Sequence, residues 1–194
     1  MNTVSEKISN VLWEQGILKK DDKNICSYGL DILISSVAEV TAILIISLLV
    51  NNFRETAVFF AAFIPLRIFA GGYHAKTRMR CFFVSLAVYA VFSVVVRTIP
   101  AGKYSLLSII SAPISLAIVL AFAPVVHKNK SASENERKIY RDKSIRICLA
   151  ESAVIFLAVY IFKSSRFAVS AALGQLAVTL SMLAAVIKNE FDNK

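Results

Sequence analysis

An all-α, polytopic membrane protein, six transmembrane helices behind an N-terminal amphipathic helix, is what this sequence predicts. Three observations carry that expectation. Hydrophobic residues make up 57% of the 194, and the mean hydropathy is +0.64, too apolar for a soluble domain of this size. The excess is gathered into six runs, at 32–50, 57–70, 82–96, 106–126, 147–162 and 167–187. Basic residues collect in the segments that six crossings would leave on one side.

Taken in order, residues 1–28 hold Val4, Ile8, Val11, Leu12 and Leu18 near one helical face, with Trp13 beside them. A helix lying in the bilayer interface and a helix packed on the cytosolic ends of the spans both fit that pattern. Glu6, Lys7 and Glu14 interrupt this segment, and no apolar stretch leads to a small-residue cleavage site, so no signal peptide is expected. A hydrocarbon core about 30 Å thick takes roughly 20 helical residues. The runs at 32–50, 106–126 and 167–187 meet that length. Those at 57–70, 82–96 and 147–162 are short and need tilt, local thinning or burial against neighbours. Between spans four and five lies the long polar segment 127–146. Within it Ser133 and Glu136 have the spacing of a capping box, the start of a helix running into span five. The expected organisation is one membrane domain: an amphipathic segment at 1–28, a six-span bundle over 29–187 and a cytosolic tail at 188–194.

Charge orients the bundle. With the N-terminus cytosolic, only Arg54, Arg97, Lys103, Lys163 and Arg166 of the 22 basic residues fall outside. If 57–70 did not cross, everything after it would invert and most of the basic residues would lie outside, against the positive-inside rule. Both the segment 74–81 and the basic loop 127–146 are therefore expected to face the cytosol. The net charge of +9 is accounted for by these loops meeting anionic headgroups of membrane lipids. No nucleic-acid-binding motif accompanies it, and no nucleic-acid partner is expected. Cys26, Cys81 and Cys148 are an odd number with no Cys-x-x-Cys, which argues against a disulfide framework or a zinc site. On the reducing cytosolic side they are expected to be free thiols.

The chemistry concentrates at Arg67-Ile-Phe-Ala-Gly-Gly-Tyr-His74-Ala-Lys-Thr-Arg-Met-Arg-Cys81. A thiol beside an imidazole is the minimum for nucleophilic acyl transfer. In one straight helix, seven residues would separate them by about 10.5 Å. A working pair needs roughly 2.6–3.2 Å. The chain must bend, and Gly71-Gly72 can take dihedrals closed to other residues. The polar run 76–80 can then form a loop before a helix starts near Cys81, where the helix N-terminus and Arg78 and Arg80 favour a thiolate. Arg67 is either a site-lining residue that binds a carboxylate or polarises a carbonyl, or an ordinary interfacial arginine. Cys26 and Cys148 read as packing residues and His127 as a solvated one. Asp31, Glu39 and Glu151 are the acids near the spans, and nothing in the sequence chooses among them as an orienter for His74. The chain has no His-Glu-x-x-His, no Gly-x-Ser-x-Gly and no Gly-x-Gly-Asp, and no metal or other cofactor is expected. A small-peptide exporter without bond cleavage is the alternative class.

The run Arg67…Ala70-Gly-Gly-Tyr-His74-Ala-Lys…Cys81 resembles the signature of the accessory gene regulator protein B (AgrB-like) family. The resemblance extends to Tyr28-Gly-Leu-Asp31 and to Ala123-Pro-Val-Val-His-Lys-Asn-Lys130. One departure is Ser131, where many members carry proline. The resemblance implies a membrane cysteine endopeptidase of peptide quorum sensing, multi-pass in the bacterial cytoplasmic membrane. Its substrate would be an AgrD-like signal propeptide with an amphipathic leader, a Cys- or Ser-bearing core and an acidic tail. Cys81 would be the nucleophile and His74 the general base. Arg67, Gly71 and Gly72 match the site's motif positions, and Lys128 and Lys130 match the family's basic loop more loosely. A homodimer is implied by family analogy alone.

Overall fold

The computed structural model describes residues 4–19, 23–73, 78–125, 133–163 and 165–191. His74, Lys128 and Lys130 of the expected site lie outside them, as do His127 and Ser131. The described residues are helical: α1 (Val4–Glu14), α2 (Lys23–Leu49), α3 (Phe53–Ala70), α4 (Arg78–Thr98), α5 (Tyr104–Phe122), α6 (Glu134–Tyr160) and α7 (Ser165–Phe191), with a 3₁₀ turn at Ala101–Lys103 before α5. The only β-like pairing among them is an isolated bridge between Gly71 and Val125.

Among the described residues, four helical stretches are long and apolar enough to cross a membrane: Lys23–Leu49, Met79–Thr98, Ala101–Phe122 and Ser165–Phe191. The other two expected spans form helices that fall short of that description, for a reason visible in their charges. In α3, Arg54 and Glu55 sit in the first turn and Arg67 in the last. α6 is one continuous helix whose first half is the basic segment read as part of a polar loop. Its apolar remainder, from residue 147 to Tyr160, is about 21 Å long, short of a hydrocarbon core of about 30 Å. The capping box forms as expected: Ser133 Oγ accepts from the Glu136 amide, and the Glu136 carboxylate accepts from the Ser133 amide at 2.9 Å.

The chain divides into two compact units, Met1–Ile46 and Ser47–Lys194. In the first, α1 turns its small polar residues inward. Ser5 and Ser9 are buried, and Ser5 Oγ donates to Asp31 Oδ1 of α2 at 2.8 Å. The Lys23 ammonium lies 4.9 Å from the centre of the Trp13 ring. Val4, Ile8 and Val11, the apolar stripe expected from the sequence, remain exposed. α2 begins at Lys23, so its first turns precede the apolar run at 32–50.

In the second unit α7 is the central pole, packed against α3, α5 and α6 and more lightly against α4. Helices in lipid gain little from excluding water, so small residues that let backbones approach do the work. α7 supplies them at Ala168, Ala171, Ala172, Gly174 and Ala185, all of them buried. Gly174 lies so close to α3 that a Cβ there would stand 2.4 Å from the Phe59 carbonyl oxygen. Gly174→Ala should therefore push α3 off α7 and cost about 1–3 kcal/mol, read as a lowered melting temperature in detergent. An unchanged melt would mean this close approach is dispensable. Several buried hydroxyls bond back to a carbonyl one turn earlier: Thr56 donates to the Asn52 carbonyl at 2.7 Å, and Ser108 to Tyr104 at 2.8 Å. On α4, Tyr89, Phe92 and Val96 face inward, while Val84, Val91 and Val94 face outward. That outer apolar face is what a lipid-facing helix requires.

Candidate active site

α3 ends at Ala70 and α4 begins at Arg78, so no straight rod joins the Gly-Gly pair to Cys81. The break is built on backbone that only glycine accepts readily. Gly71 has φ 76° and ψ −153°, and Gly72 has φ 138°. Close neighbours reinforce the requirement. A Cβ on Gly71 would lie 2.2 Å from the Val125 carbonyl oxygen, because Val125 pairs alongside and its amide donates to the Ala70 carbonyl at 2.9 Å. A Cβ on Gly72 would lie 1.7 Å from Arg67 Nη1.

Arg67 closes the turn. Its Nη1 donates to the Gly71 carbonyl at 2.6 Å and to Ser181 Oγ at 3.1 Å, and its Nη2 donates to the Tyr73 carbonyl. A planar fork of fixed donors suits this task, since it meets the carbonyls of two residues on either side of Gly72. The expectation that Arg67 engages a substrate carboxylate thus meets a competing use: its guanidinium already serves backbone oxygens of its own chain. Its charge also acts on Cys81. Cys81 stands in the first turn of α4 and is half-buried, accessible enough to meet a substrate. Cys148 is fully buried against Gln175, whose Nε2 donates to the Cys148 carbonyl at 2.9 Å, so no peptide reaches it in this fold. Cys26 is half-buried on α2, in the other unit.

Three residues outside the sequence expectations complete the arrangement. The Tyr73 amide donates to the Ser181 carbonyl at 2.9 Å and to Ser181 Oγ at 3.1 Å, and Lys188 Nζ sits 4.9 Å over the Tyr73 ring. Ser181 and Lys188 are seven residues apart on α7 and so share a face. The same end of the unit carries further basic side chains from α6. Arg141 donates to the Leu120 carbonyl near the end of α5, and Lys143 lies over the Phe69 ring near the end of α3. Among the acids weighed as orienters, Asp31 accepts from Ser5. The Glu151 carboxylate is buried near Cys148 with no hydrogen-bond donor among the described residues. No group of three potential metal ligands occurs among the described residues.

A glycine-built break between two helices, an arginine fastened across it and a thiol in the next helical turn match the motif that the sequence displays. The family model described as accessory gene regulator B matches residues 5–184. The chain belongs to that family. Among curated relatives, the protein FsrB of Enterococcus faecalis is 25% identical over 131 residues, covering 67% of this chain and 54% of the relative. A putative AgrB-like protein of Listeria welshimeri is 26% identical over 106 residues, 54% of this chain and 52% of the relative. The chain thus spans about half the length of the curated relatives it matches. No solved structure matches it.

Proposed function

We propose that this AgrB-family chain is a membrane-embedded cysteine endopeptidase that removes the C-terminal tail of a quorum-sensing signal propeptide and promotes closure of the signal into a ring. The observation that carries the reading is the break between α3 and α4. It stops the helix before His74 and restarts it three residues before Cys81, within the electrostatic reach of Arg67. His74 is the general base that takes the Cys81 proton. The thiolate then attacks the carbonyl joining signal core to tail. As the C–N bond breaks, the imidazolium returns its proton to the departing amine, and the core remains as a thioester on Cys81.

That thioester keeps the acyl group activated. A thiol or hydroxyl within the core attacks the same carbonyl, the C–S bond to Cys81 breaks, and a thiolactone or lactone closes without ATP. The attacking group's proton passes through His74 to the released thiolate. Water has to be held off the acyl-enzyme, or a linear peptide results. The basic side chains at this end, among them Arg141, Lys143 and Lys188, attract an acidic tail, and Lys128 and Lys130 of the sequence between α5 and α6 add to that charge. The exposed apolar stripe of α1 suits a bilayer interface, where an amphipathic leader would also lie.

The test uses the protein in liposomes with a synthetic propeptide carrying an amphipathic leader, a Cys-containing core and an acidic tail, followed by mass spectrometry. Release of the tail and a cyclic core are expected, and an unchanged peptide would favour the transport class. A Cys26→Ala/Cys148→Ser double variant should process the peptide like the parent. If that variant inserts normally yet is inactive, Cys81 is the wrong thiol.

A further inference from the structure

We propose that Ser181 of α7 is a positioning residue whose hydroxyl pins the backbone leading into His74 to the central helix of the bundle. This rests on the reading of His74 and Cys81 as the reacting pair. A serine oxygen has two acceptor lone pairs. Here they take donors from two parts of the turn, Arg67 Nη1 and the Tyr73 amide, each at 3.1 Å. Arg67 in turn holds the Gly71 and Tyr73 carbonyls. Every polar backbone group of Tyr73 is therefore bonded either to Ser181 or to the arginine that Ser181 anchors, and its ring lies under Lys188 from the same face of α7. Tyr73 immediately precedes His74 in the chain.

Removing the hydroxyl does not dissolve the turn, because the Tyr73 amide still reaches the Ser181 carbonyl at 2.9 Å. It leaves the Tyr73 amide with the Ser181 carbonyl alone and Arg67 Nη1 with the Gly71 carbonyl alone, and so frees the arginine fork from α7. Such slack matters out of proportion to its energy. A dyad works within a window of about half an ångström, and a misplacement of about 1 Å can cost a hundredfold in rate.

The test needs no natural substrate. In the Cys26→Ala/Cys148→Ser background Cys81 is the sole thiol, and iodoacetamide reports how readily it ionises. An unassisted thiol is only a few per cent thiolate near neutral pH. Ser181→Ala should therefore alkylate about tenfold more slowly than the parent there, as should His74→Ala. The deficit should close in alkali well above about pH 8.5, where a free thiol ionises unaided. A loss of access alone would persist at high pH. Ser181→Thr, which keeps the hydroxyl, should return to the parent's rate. Hydrogen–deuterium exchange of the peptide spanning the turn gives the second readout, with exchange at Tyr73 about tenfold faster in Ser181→Ala. Unchanged exchange overturns the clamp. Faster exchange with parental alkylation overturns its positioning role. Parental alkylation in His74→Ala overturns the reacting pair and leaves the clamp to be judged by exchange. Should Ser181→Ala fail to insert, Lys188→Met removes the other α7 contact to Tyr73. A smaller slowing of alkylation is then expected, and none would sink the proposal.

Discussion

Cys81→Ala is expected to abolish tail release, by at least about a thousandfold, while the protein still inserts and purifies as the parent does. The chemical half of that expectation is direct: without the sulfur there is no thioester, and the buried Cys148 cannot substitute. Cys148 is sealed inside the α6–α7 contact. The structural half follows from where Cys81 stands. It is half-buried in the first turn of α4, ahead of the inward-facing Tyr89, Phe92 and Val96. Removing one sulfur there opens no sealed cavity of the kind that makes core truncations costly. Cys81→Ser should be equally inactive, since a serine hydroxyl is a far weaker nucleophile without a site evolved to activate it. Mass spectrometry of the propeptide together with size-exclusion behaviour in detergent checks both halves. Ordinary processing by a well-inserted alanine variant would end the cysteine mechanism.

The sequence displayed the helices and the break more clearly than the fastening across it. Long apolar runs marked α2, α5 and α7, and a shorter one marked α4, because a lipid-facing helix has little choice of residue type. α3 and α6 were harder, since charge at both ends of one and along half of the other leaves too little apolar length to read. The Ser133–Glu136 cap was legible because it is a local contact over three residues. Gly71-Gly72 announced a bend for a similar reason: the dihedrals that need glycine are a local property. Ser181 had no such signal. It is one hydroxyl in the apolar run 167–187, beside Ser170 and Thr179, which donate within their own helix. Its partners are 108 and 114 residues away in sequence, and only the packing of α7 against α3 brings them together. The same packing redirects Arg67. Read alone it is either a cation lining a site or an ordinary interfacial arginine, whereas in the fold it is a brace for backbone carbonyls.

Replacing either glycine of the turn with alanine is expected to lower activity by at least about a hundredfold, but the two losses should differ in what relieves them. At Gly72 the new methyl would meet Arg67 Nη1 at 1.7 Å, the tip of a long side chain that can swing away. Swinging away gives up the bonds to the Gly71 and Tyr73 carbonyls and to Ser181, so the variant behaves as if Arg67 were missing. The two lesions then share one mechanism, and Gly72→Ala combined with Arg67→Ala should be little worse than Arg67→Ala alone, apart from backbone strain at φ 138° of about 1–3 kcal/mol. At Gly71 the methyl would meet the Val125 carbonyl oxygen at 2.2 Å, which is backbone and cannot rotate aside. Its φ and ψ of 76° and −153° are also confined to glycine. Relief there requires parting the Gly71–Val125 bridge, so adding Arg67→Ala should deepen the defect. A double-mutant cycle on alkylation rate and melting temperature separates the cases. Equal additivity at both glycines would show that Arg67 does not brace the turn, and the link from α3 through the glycines to the residue before His74 would have to be abandoned.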